Sequence, residues 1–424
     1  MNCHYACGTA AHLSRRSFLQ GATTGALGML GFSGMVQASA AQKLASQQKQ
    51  VVVFFLKGGV SQLETWDPKP GTDTGGPFQK ISTSAPGVEI CELLPHTARQ
   101  MQHLALVRGI NTKENDHGKG AYIMQTGYRQ QPGFEYPYLG SAFSRQLNPP
   151  DSPLPGYICL GAGARAQEAA FLGPKYAPLA LPEEGAPQNL ARPASLTEQH
   201  DMQRRLLRQR IGQRFAPGRR DSDLEAYNSS YEQAARLMAR SDVFDFSKMP
   251  AKDEERYGKH SFARNCRVAL RLLENGVTFI KVSHTNYDTH SENFNFHIEQ
   301  LGEFDRPFAT FMADLHERGM LQHTLVIVMS EFGRTPNINS KLGRDHWGTA
   351  WSIALGGCGI KGGAVVGKTN EKGTQVIDRE VNGGHLFHTY YHAVGLDSSK
   401  SFYDKGRPVA KADPKTDALQ EILV

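Results

Sequence analysis

Val51-Val52-Val53-Phe54-Phe55-Leu56 is an unbroken apolar run, rich in β-branched and aromatic residues, set between the polar stretch Gln42 to Gln50 and Gly58-Gly59. With no polar alternation, it suits a strand buried on both faces. Val277 to Val282 shares this character and follows helical apolar spacing around Ala269, Leu272 and Leu273. Leu325 to Met329 does the same after a helical pattern from Phe308 to Leu315. Helix followed by strand, repeated, predicts an α/β fold with a mostly parallel sheet flanked by helices. Trp351 to Leu355, ending at Gly356-Gly357, is a fourth expected strand. From about Pro132 to Lys259 the chain is richer in Pro, Gly and charge. Apart from an expected helix over Tyr227 to Ala239, that region reads as a loop-rich insertion into a single domain spanning 51–424.

The 47 Lys and Arg against 41 Asp and Glu leave a net charge of only +6. No basic stripe with interleaved aromatics accompanies it, which argues against a nucleic-acid partner. At the N-terminus, Ser14-Arg15-Arg16-Ser17-Phe18-Leu19 precedes a Gly/Ala-rich apolar stretch from Ala22 to Val36, then Ala38-Ser39-Ala40. This resembles a twin-arginine export signal over 1–40, followed by a linker over 41–50. The apolar stretch is shorter than the roughly 20 residues a membrane-spanning helix needs. The expectation is therefore a removed leader, no permanent membrane span, a periplasmic or extracellular location, and the twin-arginine machinery as a partner. Cleavage after Ala40 would take Cys3 and Cys7, leaving Cys91, Cys159, Cys266 and Cys358 without any C-x-x-C pair. No thiolate metal site follows from that spacing; disulfides and free thiols both stay open.

In open α/β sheets ligands gather beyond the carboxyl ends of the strands, and here acids and histidines follow the apolar runs. After the first run, Glu64 or Asp67 can ligate a cation, and Ser61 or Thr65 can carry a nucleophilic oxygen. After Ser283, Asp288 and His290 stand two residues apart, which in an extended loop projects both to one side about 6–7 Å apart. A carboxylate with an imidazole suits Zn²⁺, Mn²⁺ or Fe²⁺ better than Ca²⁺. After Met329 come Glu331 and Arg334, then Arg344, Asp345 and His346. The two arginines are fixed cations able to grip an oxyanion or to form structural ion pairs, and Asp345 can ligate or merely orient His346. His385 opens an expected helix ending at Gly395, whereas His388 and His392 lie deeper along it. Several strands delivering such donors to one sheet edge point to a metal centre, with one or two ions able to clamp a phosphoryl or sulfuryl oxygen.

Gly58-Gly59 with Asp67-Pro68-Lys69-Pro70, Asp288-Thr289-His290, Glu331-Phe332-Gly333-Arg334-Thr335-Pro336 and Gly343-Arg344-Asp345-His346-Trp347 together resemble the exported bacterial family called domain of unknown function 1501. That family is similar to the alkaline phosphatase and sulfatase superfamily. The resemblance implies an alkaline phosphatase-like core holding one or two divalent ions, Zn²⁺, Mn²⁺ or Ca²⁺. It implies Asp288, His290, Glu331, His346 and His385 as ligands, with Asp345 as ligand or orienting group and Glu64 or Asp67 as the first carboxylate. Sulfatases place a modified Cys or Ser ten residues before the glycine of a Thr-Gly pair; here Thr126-Gly127 puts His117 at that position, so a formylglycine mechanism is not implied. His117 is then a nucleophile, general acid or ligand, and Arg334 or Lys119 binds the anionic substrate. The implied function is metal-dependent hydrolysis of a small phosphate or sulfate ester or a sulfated glycan. The alternative is a non-catalytic anion- or glycan-binding protein on the same fold.

Overall fold

A computed structural model of the chain describes residues 48–161, 166–182, 190–193, 195–215 and 221–424. The expected leader and most of the linker lie outside these. Among the described residues no helix is long and apolar enough to cross a membrane.

The strands of the central sheet are β1 (Gln50–Leu56), β2 (Leu104–Ile110), β3 (Tyr157–Leu160), β4 (Leu179–Ala180), β5 (Phe279–His284), β6 (Thr324–Met329), β7 (Trp351–Gly357) and β8 (Val365–Val366). Their spatial order is β8-β2-β7-β6-β1-β5-β3-β4. β1 is parallel to both β5 and β6, while β7 runs antiparallel to β2 and β6. Trp351 to Leu355 is thus a strand, but the one that reverses direction. Four strands, β2, β3, β4 and β8, have no counterpart in the sequence reading. Arg108 and Gly109 interrupt the apolar character of β2, and β3 is a short run inside the stretch read as insertion. Arg108 is accommodated because its guanidinium donates to the carbonyls of Trp66 (2.8 Å) and Glu89 (2.6 Å).

The helices that matter here are α1 (His117–Thr126), α2 (Leu139–Leu147), α3 (Glu198–Phe215), α4 (Asp221–Ala239), α5 (Ser261–Glu274), α6 (Asn293–Glu317) and α7 (Gly383–Ala393). The 132–259 stretch therefore supplies α2, β3 and β4 to the core, and its additions are α3 and α4. Successive residues of β1 point to opposite faces, and both faces are covered. Val52, Phe54 and Leu56 pack with Phe262 of α5 and Phe304, Phe308 and Phe311 of α6. Val51, Val53 and Phe55 pack with Phe143 of α2 and Tyr390 and Tyr391 of α7. Phe54 meets Phe308 and Phe311 edge-on at 5.1 and 5.2 Å. Each such ring, fully removed from water, contributes about 1.5–3 kcal/mol. Cys91, Cys159, Cys266 and Cys358 are buried free thiols, which decides between the two alternatives left open above.

Register positions the site. Phe55 is level with Ser283 on one side and Met329 on the other. The segments leaving β1, β5 and β6 therefore emerge side by side at one sheet edge.

Candidate metal centre

Each of those segments is shaped by a local requirement. Gly58 and Gly59 take φ of +118° and +82°, a region that L side chains avoid. A Cβ on Gly58 would stand 2.5 Å from the Asp288 amide nitrogen, and one on Gly59 2.6 Å from the Phe332 ring. The chain after β1 thus lies directly against the segments after β5 and β6. α1 begins at His117, with Asp116 as its N-cap accepting from the Lys119 amide. His346 lies on a short ribbon, His346–Trp347, paired antiparallel with Gly333–Arg334.

Four side chains converge. His290 Nε2 is 3.0 Å from His346 Nε2, and these two nitrogens lie 3.2 and 3.1 Å from Asp288 Oδ1. His117 Nε2 approaches the other oxygen, Asp288 Oδ2, at 3.1 Å. Ligand atoms of His117, Asp288 and His346 all fall within 4.8 Å of one another. The opposite ring nitrogens fix the tautomers. His346 Nδ1 lies 2.7 Å from the Asn115 carbonyl, which can only accept, so this nitrogen donates. His290 Nδ1 donates to Asp345 (2.7 Å) and His117 Nδ1 to Glu331 Oε1 (2.6 Å). The Nε2 lone pairs of His290 and His346 are therefore aimed at one another and at Asp288 Oδ1, whereas His117, held between Glu331 and Asp288, carries its proton on Nε2 toward Asp288 Oδ2. Phe332 forms an apolar wall, its ring centroid 4.4 Å from that of His346 and 4.8 Å from that of His117.

The electrostatics agree. Burial raises the Asp288 carboxyl, but the hydrogen bond and charge of Arg334, with the charge of His117, outweigh it and hold the group far below the usual carboxylate range. The hydrogen bond to Glu331 raises the His117 imidazole against the opposing effect of burial. The hydrogen bond from His290 lowers the Asp345 carboxyl.

Several residues expected at the site have other employment. Glu64 is fully buried against Arg344, Oε1 to Nη2 at 2.9 Å, so neither reaches the cluster. Asp67 accepts from Lys69 and Thr369. His385 completes a capping box with Asn382 at the start of α7, its Nε2 3.5 Å from Asp417. Arg334 is fully buried and spends Nε, Nη1 and Nη2 on the carbonyls of Gly59, Arg344 and Gly58 and on Asp288 (2.6 Å), so it braces that carboxylate and has no face toward a substrate. Glu331 is at the centre, but its Oε1 accepts from Gly58 N (2.9 Å) and His117, and its Oε2 from Ser330 (2.9 Å). It grips His117 through Oε1 and is tied to the backbone after β1 and to Ser330. Asp345 Oδ1 holds the His290 ring rather than that of His346, and Lys119 stays exposed on the first turn of α1. Ser330 and the Asn115 carbonyl were not foreseen as supports. Ser330 had a signal in its place directly after β6, whereas a backbone acceptor has none.

Gly58→Ala tests this packing. Its Cβ must push the Asp288 backbone away, so we expect a stability loss of about 1–3 kcal/mol in thermal melts.

A mostly parallel α/β sheet with imidazole and carboxylate donors at its carboxyl edge defines the class of protein. Over residues 48–423 the sequence matches the family described as Protein of unknown function (DUF1501), and the chain belongs to that family. No curated protein matches it in sequence. Similar solved structures include the PsFucS1 sulfatase from Pseudoalteromonas sp., at 12% identity and TM-score 0.40, covering 85% of this chain and 70% of that one. Another is the lipoteichoic acid synthase LtaP from Listeria monocytogenes, at 7% identity and TM-score 0.39, covering 89% and 80%. A third is the alkaline phosphatase of the Antarctic bacterium TAB5, at 13% identity and TM-score 0.36, covering 82% and 99%.

Proposed function

We propose that this chain is an exported, metal-dependent hydrolase of phosphate or sulfate esters, with Asp288, His290 and His346 as the residues that would hold a divalent cation. The observation that supports this is the convergence of the unprotonated Nε2 lone pairs of His290 and His346 on Asp288 Oδ1. Their partners at Nδ1 leave no hydrogen to place between them, and like-charged lone pairs about 3 Å apart need a cation or a proton there. Imidazole nitrogen with carboxylate oxygen fits Zn²⁺ or Mn²⁺ better than Ca²⁺. A cation held there would supply positive charge against the oxyanion of a bound ester.

The chain's own residues do the rest. Arg334 and the His117 imidazolium keep Asp288 ionised and in place. Glu331 holds the His117 ring, and the raised imidazole retains a proton that Nε2 can pass to a leaving-group oxygen. Lys119, exposed on the same turn as His117, offers a cation to the anionic substrate. The export reading is carried by the N-terminal Arg15-Arg16 segment.

The test is a panel of aryl phosphates and aryl sulfates assayed with added Zn²⁺, Mn²⁺ or Ca²⁺. We expect cation-dependent turnover that drops at least about 100-fold in His117→Ala while metal binding persists. No turnover in any combination, with metal bound, would assign the fold to anion binding without hydrolysis.

A further inference from the structure

A cavity of about 660 Å³ opens between the core and the added helix α4. Its floor is the proline-rich segment 149–156 joining α2 to β3, so it faces the amino ends of the strands. The His/Asp cluster stands beyond the carboxyl ends. A strand of four to six residues separates the two, roughly 13–20 Å at about 3.3 Å per residue.

The charged side chains of the lining are mostly basic, Arg145, Lys175 and Arg236 against one acid. Arg145, in the last turn of α2, and Lys175 both lie over the Tyr176 ring, at 5.3 and 5.8 Å from its centroid. Arg236 of α4 donates to the Ser152 carbonyl at 3.1 Å. The lining holds one carboxylate, Glu232, which sits 3.9 Å from Arg236. Among the described residues, Arg145 and Lys175 have no carboxylate partner. The side-chain amides of Asn148, Asn228 and Gln233 also border the space.

We propose that this cavity binds an acidic oligosaccharide segment, one carrying sulfate or carboxylate groups, at a site separate from the metal centre. The volume is that of a small-molecule pocket. Arg145 and Lys175 are cations available to anionic substituents. The amides can meet sugar hydroxyls, and the prolines offer apolar surface to the C–H face of a ring. The site does not depend on the metal centre being catalytic.

Calorimetry at physiological salt tests it with three probes: a heparin-derived tetrasaccharide for sulfate, tetragalacturonate for carboxylate, and cellotetraose as the neutral control. We expect at least one acidic probe to bind and cellotetraose not to. The double variant Arg145→Ala/Lys175→Ala should weaken that binding at least tenfold; both side chains are exposed, so the fold is kept. Asp288→Asn should bind as the unmodified chain does, which separates this site from the metal centre. The proposal is overturned if neither acidic probe binds, if cellotetraose binds equally, or if the double variant binds undiminished. It is also overturned if Asp288→Asn abolishes binding.

Discussion

Asp288→Asn should abolish cation binding while leaving the chain folded. The carboxylate is the shared centre of the cluster: Oδ1 meets Arg334, His346 and His290, and Oδ2 meets His117. Asparagine keeps an oxygen for the Arg334 guanidinium but removes the negative charge that a divalent cation needs. Alanine would be a poorer probe, because it strips a buried arginine of a carboxylate at hydrogen-bond distance, the one it has among the described residues, and invites a stability loss of about 3–5 kcal/mol. For the asparagine variant we expect Zn²⁺ affinity at least about 100-fold weaker, or about 2.7 kcal/mol, with a melting temperature close to that of the unmodified metal-free chain. Calorimetric titration alongside thermal melts checks both. Unchanged affinity would remove Asp288, and with it the proposed centre.

Glu64→Gln should give the opposite pattern, a large stability loss with metal binding untouched. Both partners of the Glu64–Arg344 pair are fully buried, with Nε and Nη2 donating to Oε1 at 3.2 and 2.9 Å. Removing the negative partner leaves a buried guanidinium uncompensated, at a cost of about 3–5 kcal/mol. For a chain of this size, that lowers the melting temperature by roughly 4–6 °C. Burial raises the Glu64 carboxyl, yet Arg344 and His297 together hold it below its ordinary value. A depressed carboxyl contributes stability that is present above the unfolded value and lost as pH falls through the folded one. The gap between the two proteins should therefore be full near neutrality and close below about pH 4. Folded Glu64→Gln should bind Zn²⁺ as the unmodified chain does. A variant that kept its stability and lost the metal would restore Glu64 as a ligand.

The contrast between these residues marks how far local pattern reaches. Both are acids downstream of an apolar strand, and both qualified as ligands on that ground. What separates them is the partner: Glu64 meets an arginine 280 positions away inside the protein, whereas Asp288 meets three imidazoles at a half-open edge. Arg334 and Arg344 read as substrate-binding cations for the same reason, because a sequence does not state which carbonyls or carboxylates surround a guanidinium. His385 was expected at the cluster from its place at a helix start, and that same place is why it caps α7.

The α/β class, the strands β1, β5, β6 and β7, and the donors after β5 and β6 were determined by the sequence alone, because apolar periodicity and the polar residues that end it are short-range properties. The strands β2 and β3, the reversed direction of β7 and the occupancy of each acid were decided only by tertiary structure. His117 meets Asp288 across 171 positions and Glu331 across 214. Such contacts exist only once strand order sets β6, β1 and β5 side by side and the glycines after β1 let their backbones touch.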